Sequence, residues 1–362
     1  MTPPNYKTIL PSAYRDKKVF LTGHTGFKGA WMLAILHYLG AEVMGYALEP
    51  ENDNDLYNLI DGDDLCQSVM ADIRKKDILA MEIKNFQPDF VFHLAAQSLV
   101  RRSFEMPAQT YETNVLGTAY VLDAFRQLEK PCVSVLITTD KVYENLESLR
   151  PYKETDPLGG FDPYSSSKAA AEIAIASYRR SFFHPDKYAN HHQSVASARA
   201  GNVIGGGDRA PDRIIPDFVR ALENEEPLVV RNPHSIRPWQ HVLEPVVGYL
   251  YLGAKMLENP SKFASAYNFG PQAEDQLSVQ ELVEKALAIW GSGTYETAID
   301  PNAPHEAKLL KLDISKAESE LGWAPKWNSA KALQMTLDWY KNYKEGAMPL
   351  TMKQVEEYFD VN

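Results

Sequence analysis

The stretch Gly23-His24-Thr25-Gly26-Phe27-Lys28-Gly29 directly follows the apolar run Val19-Phe20-Leu21-Thr22 and opens a helical run that closes at Gly40. Glycines at every third position between a strand and a helix allow a tight turn. They also allow close approach of a ligand to the backbone and close packing of helix on strand. The helix N-terminus then offers free N–H groups and positive dipole to phosphate. A turn with incidental glycines is the bland alternative, and the strand and helix on either side argue against it. The stretch therefore predicts the first β-turn-α unit of a dinucleotide-binding sheet.

The alternation continues through EVMGYAL, through SVM before Ala71 and Asp72, and through a helical run from Asp77 to Phe86. Next come the apolar strand DFVFHLAA, a long helix through Thr110 to Leu128, and the strand VSVLITTD. A proline-bearing loop from Arg150 to Pro163 leads to a helix over Tyr164 to Arg180 and the strand VASARAGNVIG. Apolar strands separated by helices indicate a parallel sheet covered on both faces. The fold class is α/β, a Rossmann-type doubly wound parallel sheet.

Farther on, GGGDRAPDRIIP and RNPHSIRPWQH are loop-like, and helical stretches recur at Val242 to Leu257, Val279 to Trp290 and Ala330 to Tyr343. A length of 362 residues exceeds what one core usually organises. Residues 1–204, with roughly 240–270, are expected to form the dinucleotide-binding domain. Roughly 205–239 and 271–362 are expected to form a smaller C-terminal α/β lobe that holds the substrate.

A formal charge of −11 argues against a nucleic-acid binder, which needs a basic face. No apolar run approaches the ~20 residues of a membrane span. The polar, proline-bearing start from Met1 to Lys18 has no secretory pattern, so a cytoplasmic location is expected. Cys66 and Cys132 sit in or beside apolar runs and read as two buried thiols, with no disulfide and no metal site.

Tyr164 and Lys168 are four apart on a helix, so their side chains share a face. The spacing occurs four times, at Tyr14/Lys18, Tyr164/Lys168, Tyr251/Lys255 and Tyr340/Lys344, against about one by chance. Only Tyr164 opens a helix soon after a strand whose carboxyl end carries Thr138, Thr139, Asp140 and Lys141. Ligands of doubly wound sheets bind at such strand ends. Oxidising a hydroxyl requires a base for its proton. A tyrosine of pKa ≈ 10 becomes one if Lys168 and a cationic nicotinamide favour tyrosinate, with Thr139 orienting the hydroxyl.

The acid that binds the adenosine ribose should follow the second strand, where Glu49 stands one or two places late. No arginine neighbours it in sequence to mark NADP, so the cofactor is read as NAD. Asp72 suits either an adenine contact or a helix cap.

GHTGFKGAW, FHLAAQSLVRRS, Asn114 in the long helix, ITTDKVY, YSSSK, ARAGNVIGGGD and RPWQHV occur in this order. Together they make the chain similar to the nucleotide-sugar 4,6-dehydratases of the extended short-chain dehydrogenase/reductase group, nearest to the branch acting on CDP-glucose. The likeness runs from about Lys18 to Trp339.

The resemblance implies that Tyr164 and NAD oxidise C4 of the hexose, that the C5 proton is then lost and water leaves from C6, and that hydride returns to C6. It also implies that Asp140 protonates the departing C6 hydroxyl. Lys141 stands where relatives acting on dTDP-glucose carry a glutamate base. A neutral lysine at pH 7 costs about 4.6 kcal/mol unless its surroundings depress its pKa.

The resemblance places Gly23, Thr25, Gly26, Phe27, Lys28, Gly29, Asp72, Leu94, Ala95, Ala96, Gln97, Asn114, Thr138, Tyr164 and Lys168 around the cofactor. Asn202, Arg213 and Arg237 are expected on the substrate, with Arg199, His305, Arg101 and Arg102 as further candidates. It implies a nucleotide-diphosphate sugar, CDP-glucose first, as the partner of a homodimer or homotetramer. Dehydratases for dTDP-, GDP- or UDP-hexoses and epimerases share the turn and the Tyr/Lys pair. A plain epimerase has no use for an acid at a C6 leaving group. A non-catalytic NAD-sensing protein would be free to lose Tyr164.

Overall fold

A computed structural model of the chain describes residues 4–147, 149–298 and 310–361. Seven parallel strands form its centre: β1 (Lys18–Thr22), β2 (Glu42–Ala47), β3 (Gln67–Met70), β4 (Phe90–His93), β5 (Cys132–Ile137), β6 (Gln193–Ala200) and β7 (Ala266–Phe269). They lie in the order β7-β6-β5-β4-β1-β2-β3. The order reverses between β4 and β1, where Val19 pairs with Val43 on one side and Phe90 on the other. In doubly wound sheets it is at such a reversal, beyond the carboxyl ends of the strands, that ligands bind.

Alternate residues of each strand enter different cores. Val19, Leu21, Phe90, Phe92, Val133 and Val135 face one layer, while Phe20, Val91 and Leu136 face the other. The first layer includes α1 (Tyr6–Tyr14), α2 (Phe27–Tyr38) and a long helix over Leu243–Glu258; the second includes helices over Lys76–Phe86, Gly117–Phe125 and Pro163–Ser181. Both faces are covered, as the apolar runs require.

Three features differ from the sequence reading. The N-terminal segment is a helix despite Pro11 in its interior, because Tyr6, Leu10 and Tyr14 are buried and Tyr14 donates to the Leu250 carbonyl at 2.6 Å. Tertiary burial here overrides a helix breaker. The expected helix Thr110 to Leu128 contains a π turn over Glu112–Leu116 and its last segment ends at Phe125. A last helix, Ala347–Asp360, packs against α2 and α1, so the end of the chain returns to the sheet's own layer.

The C-terminal region otherwise adds helices over Val279–Trp290 and Ser329–Asn342, and short strand pairs such as Leu228–Val230 with Tyr295–Thr297. Cys132 is buried, Cys66 is half-buried, and both are free thiols. Among the described residues no helix is long and apolar enough to cross a membrane.

Candidate active site

The glycine turn has the geometry of a phosphate cradle. Gly23 adopts φ 75°, and a Cβ on it would meet the Ala95 nitrogen at 2.7 Å. A Cβ on Gly29 would lie 1.9 Å from the Gly23 carbonyl oxygen. The chain therefore closes over itself in a way only glycine permits at these two places. Gly26 is exposed at the helix start, and no side chain caps that end of α2. The backbone N–H groups there suit a dinucleotide pyrophosphate.

Thr25 donates its hydroxyl to the Leu48 carbonyl at 2.8 Å, tying the turn to the end of β2, and Phe27 packs beside Gly205. Asp72 accepts from Arg74 through both carboxylate oxygens, which holds its carboxyl below the ordinary range. The fold brings Arg102 to Glu51 at 3.1 Å, two residues past Glu49, an arginine that sequence adjacency does not place there.

Residues 94–97 cross over the turn. The Leu94 and Ala95 N–H groups donate to Thr22 Oγ1 at 3.1 and 3.2 Å. Gln97 gives its side-chain amide to Leu99 and Thr110, and its backbone N–H donates to Asn114 Oδ1 at 2.9 Å. Asn114, in the π turn, also donates to Ser167 Oγ at 2.8 Å and so joins this loop to the helix Pro163–Ser181. Ala96 lies half-buried within the same loop.

That helix starts on Pro163, with Asp162 accepting from the Ser165 N–H at 2.9 Å as its cap. Tyr164 and Lys168 are both buried on it. Burial pushes the Tyr164 phenol up to about 12; Asp140 reinforces this, while Thr139 and Arg213 oppose it. Lys168 donates to the Ile137 carbonyl at 3.1 Å, and burial lowers it to about 8. One of the three N–H donors of Lys168 holds the strand, and Thr139 and Arg213 are the groups that pull the phenol toward ionisation in the protein by itself.

Thr139 donates to Asp140 Oδ1 at 2.9 Å and accepts from the Lys141 N–H at 3.3 Å. Burial raises the Asp140 carboxyl, against Lys141, Thr139, Lys28 and Arg237. Asp140 is a buried acid beside a buried phenol, and Lys141, half-buried, adjoins it. The strand end thus gathers the groups that proton transfer needs.

Other expected residues fall elsewhere. Thr138 donates to Glu172 Oε1 at 2.6 Å, beneath the site. Arg199 is not on the cleft: it is buried against Glu172 at 2.8 Å and donates to the Tyr143 hydroxyl at 2.9 Å. The substrate reading of Arg199 is corrected on that ground, because its guanidinium neutralises a buried carboxylate.

Arg213 pairs with Asp208 at 2.9 Å and reaches Ser98 at 3.4 Å, spanning two loops above the site. Arg237 lies on the two-residue strand Ile236–Arg237, close enough to act on Asp140. Gly201, just before Asn202, lies against the Asp140 carboxylate. Arg101 faces Asp212 at 3.6 Å. His305 lies outside the described residues.

Sequence reasoning missed Glu172 and Tyr249. Glu172 had a signal, since it stands one helical turn beyond Lys168; Tyr249, one of 19 tyrosines, had none.

With this geometry in place, comparisons with known proteins agree with one another. A profile of the family described as GDP-mannose 4,6 dehydratase matches residues 20–336. The chain is 44% identical over 347 residues to the CDP-glucose 4,6-dehydratase of Salmonella typhimurium, covering 95% of this chain and 97% of that one. It is 31% identical over 268 residues to a dTDP-glucose 4,6-dehydratase of Streptomyces antibioticus, 73% of each chain. The crystal structure of a dTDP-glucose 4,6-dehydratase from Streptomyces venezuelae, with NAD bound, is similar at a TM-score of 0.77 and 26% identity, covering 92% of this chain and 99% of that one.

Proposed function

The chain belongs to the GDP-mannose 4,6 dehydratase family of NAD-dependent nucleotide-sugar dehydratases, and from that premise we propose that it converts CDP-glucose to CDP-4-keto-6-deoxyglucose and water. The observation that carries the reaction is a buried Asp140, raised above the ordinary carboxyl range, beside Thr139 past the end of β5 and facing Tyr164 on the helix Pro163–Ser181. A redox step at C4 needs only the phenol and its orienting threonine. An acid beside them serves a leaving group. The choice of nucleotide rests on the Salmonella typhimurium relative, which matches over nearly its whole length.

In this reading Tyr164 accepts the proton of the C4 hydroxyl, with Thr139 holding that hydroxyl in line. NAD, when bound in the Gly23–Gly29 cradle, supplies the reversible redox chemistry at C4 and C6. Lys141 takes the C5 proton, directly or through a water, and Asp140 gives its proton to the C6 oxygen. Arg213 and Arg237 grip the diphosphate with forked guanidinium donors, and Asn202 meets the substrate or cofactor phosphates. Leu94, Ala95, Ala96 and Gln97 line the nicotinamide side, Asn114 fixes that loop, and Thr138 and Lys168 hold the strand end beside it. Asp72, with Arg74, serves the adenine end.

The cofactor lobe comprises 1–204 and about 240–270, joined by the last helix, Ala347–Asp360, which packs on α1 and α2, and the other segments close over the sugar nucleotide. The exposed apolar residues Tyr111, Leu116 and Ile173 give the helices over 107–125 and 163–181 a face for pairing copies in a cytoplasmic homodimer or homotetramer.

The test is incubation with CDP-, dTDP-, GDP- and UDP-hexoses and added NAD, read by the alkaline absorbance of a 4-keto-6-deoxy sugar. CDP-glucose is expected to give product and Tyr164→Phe to abolish it. A wild-type protein inert toward CDP-glucose overturns the substrate assignment.

A further inference from the structure

Lys28 is the second residue of α2 and half-buried, and the phosphate cradle calls on its backbone N–H. Its ammonium sits 6.0 Å from the centre of the Tyr249 ring and forms no hydrogen bond or ion pair among the described residues. The charged groups around it are Arg213, Asp140, Lys168 and Asp208. Three of these are engaged: Arg213 and Asp208 pair with each other at 2.9 Å, and Lys168 holds the Ile137 carbonyl. Asp140 is the carboxylate left for Lys28.

Tyr249 comes from the opposite direction, on the helix Leu243–Glu258. It is fully buried and packs edge-on against Phe269, with ring centres 5.5 Å apart. Among the described residues its hydroxyl has no hydrogen-bond partner, and the ionisable groups it faces are Tyr164 and Asp140. Buried hydroxyls are nearly always satisfied and buried charges nearly always paired. Here a fully buried open phenol and a half-buried open ammonium meet, with Asp140 among the ionisable groups that act on both.

We propose that Lys28, seated on the Tyr249 ring, is a further residue of the elimination step, stabilising the carboxylate that Asp140 becomes when it gives up its proton. This rests on the dehydratase reading above. In that step the C5–H electron pair becomes the C5–C6 double bond, and the C5 proton passes to Lys141. The C6–O bond breaks with its electrons on oxygen, and the Asp140 proton completes the departing water. A negative charge then appears on Asp140 in a dry site, where a fixed ammonium is worth far more than in water. The Tyr249 hydroxyl, buried and facing Asp140, adds its dipole to the stabilisation of the same developing charge. Burial, with Arg213 and Lys168, lowers Lys28 to about 8, which keeps it largely an ammonium at neutral pH.

The experiment compares Lys28→Met, Lys28→Arg and Tyr249→Phe on CDP-glucose and on CDP-6-fluoro-6-deoxyglucose, whose fluoride leaves without a proton. Absorbance at 340 nm reports C4 oxidation separately from product formation. Lys28→Met is expected to slow product formation from CDP-glucose about a hundredfold, the scale of one lost electrostatic contact at a reacting centre. C4 oxidation should change less than about threefold, and so should loss of fluoride. Lys28→Arg should recover much of the rate. Tyr249→Phe should show the same leaving-group dependence at about tenfold, and it tests the idea even if Lys28→Met is poorly folded. Equal slowing with both leaving groups, together with a raised KM for NAD, would assign Lys28 to the cofactor and overturn the proposal. Wild-type protein inert on CDP-glucose would instead remove the reading beneath it.

Discussion

Two carboxylates, Glu172 and Glu244, are both sealed from solvent, and their surroundings drive them in opposite directions. Glu172, under the end of β5, accepts from Thr138 at 2.6 Å, Ser197 at 2.9 Å and Arg199 at 2.8 Å. Burial pushes it up, but the Arg199 charge and the three hydrogen bonds more than offset this and hold it below the ordinary range. Glu244 lies where the chain termini meet. It accepts from the Trp327 N–H at 2.7 Å, the Lys326 N–H at 3.0 Å and the Tyr358 hydroxyl at 2.6 Å. Burial raises it to about 7, and these donors only partly oppose that. Similar numbers of hydrogen bonds thus have different outcomes, because one site holds a full positive charge in contact and the other is held mainly by dipoles.

The sharpest way to break this comparison is Glu172→Gln. It leaves Arg199 buried without its counter-charge and should destabilise the fold by about 3–5 kcal/mol in urea unfolding. Replacing Glu172 and Arg199 together by methionine should restore most of that. A loss below about 1 kcal/mol in the single variant would mean that the pair is not what holds this region.

A smaller effect is expected at Glu244, and its sign follows from linkage. The folded state binds the Glu244 proton more tightly than the unfolded state, whose pKa is near 4.5. The contribution is therefore full below about 4.5 and is lost as pH rises through about 7. Glu244→Gln should remove a pH-dependent component on the order of 3 kcal/mol, seen as a flatter stability profile over that window. An unchanged profile would place the titration elsewhere.

The smallest change sharpens the contrast. Tyr358→Phe deletes one donor to Glu244 and should weaken the fold by about 1 kcal/mol while moving the upper end of the same window to higher pH. A downward move would contradict the assigned role of that hydroxyl.

The legible parts of the chain share a cause. β1 to β6, the glycine turn and the Tyr164–Lys168 face depend on residues near one another in sequence, where periodicity and spacing carry the information. The pairing of Arg199 with Glu172 joins residues 27 apart, and no local pattern marks which arginine turns inward. The same holds for Tyr249, whose place under Asp140 follows from two elements packing across the sheet. Helix α1 was hidden by Pro11, since propensity reads a breaker where burial of Tyr6, Leu10 and Tyr14 decides. Short strands such as Ile236–Arg237 lack the length to show a period.

The π turn at Glu112–Leu116 makes this helix sensitive to residue count rather than to residue type. It takes in one residue more than regular winding would, so the segments before and after it are out of phase. On one side Tyr111 meets Ser166; within it Asn114 reaches Gln97 and Ser167. Removing any single residue between 112 and 116 would restore a regular helix and rotate one half by about 100° against the other. Substitutions there would leave the register intact, whereas a one-residue deletion would swing the clamp on the 94–97 loop away from it. Length, at this point in the chain, is itself what holds the two contacts together.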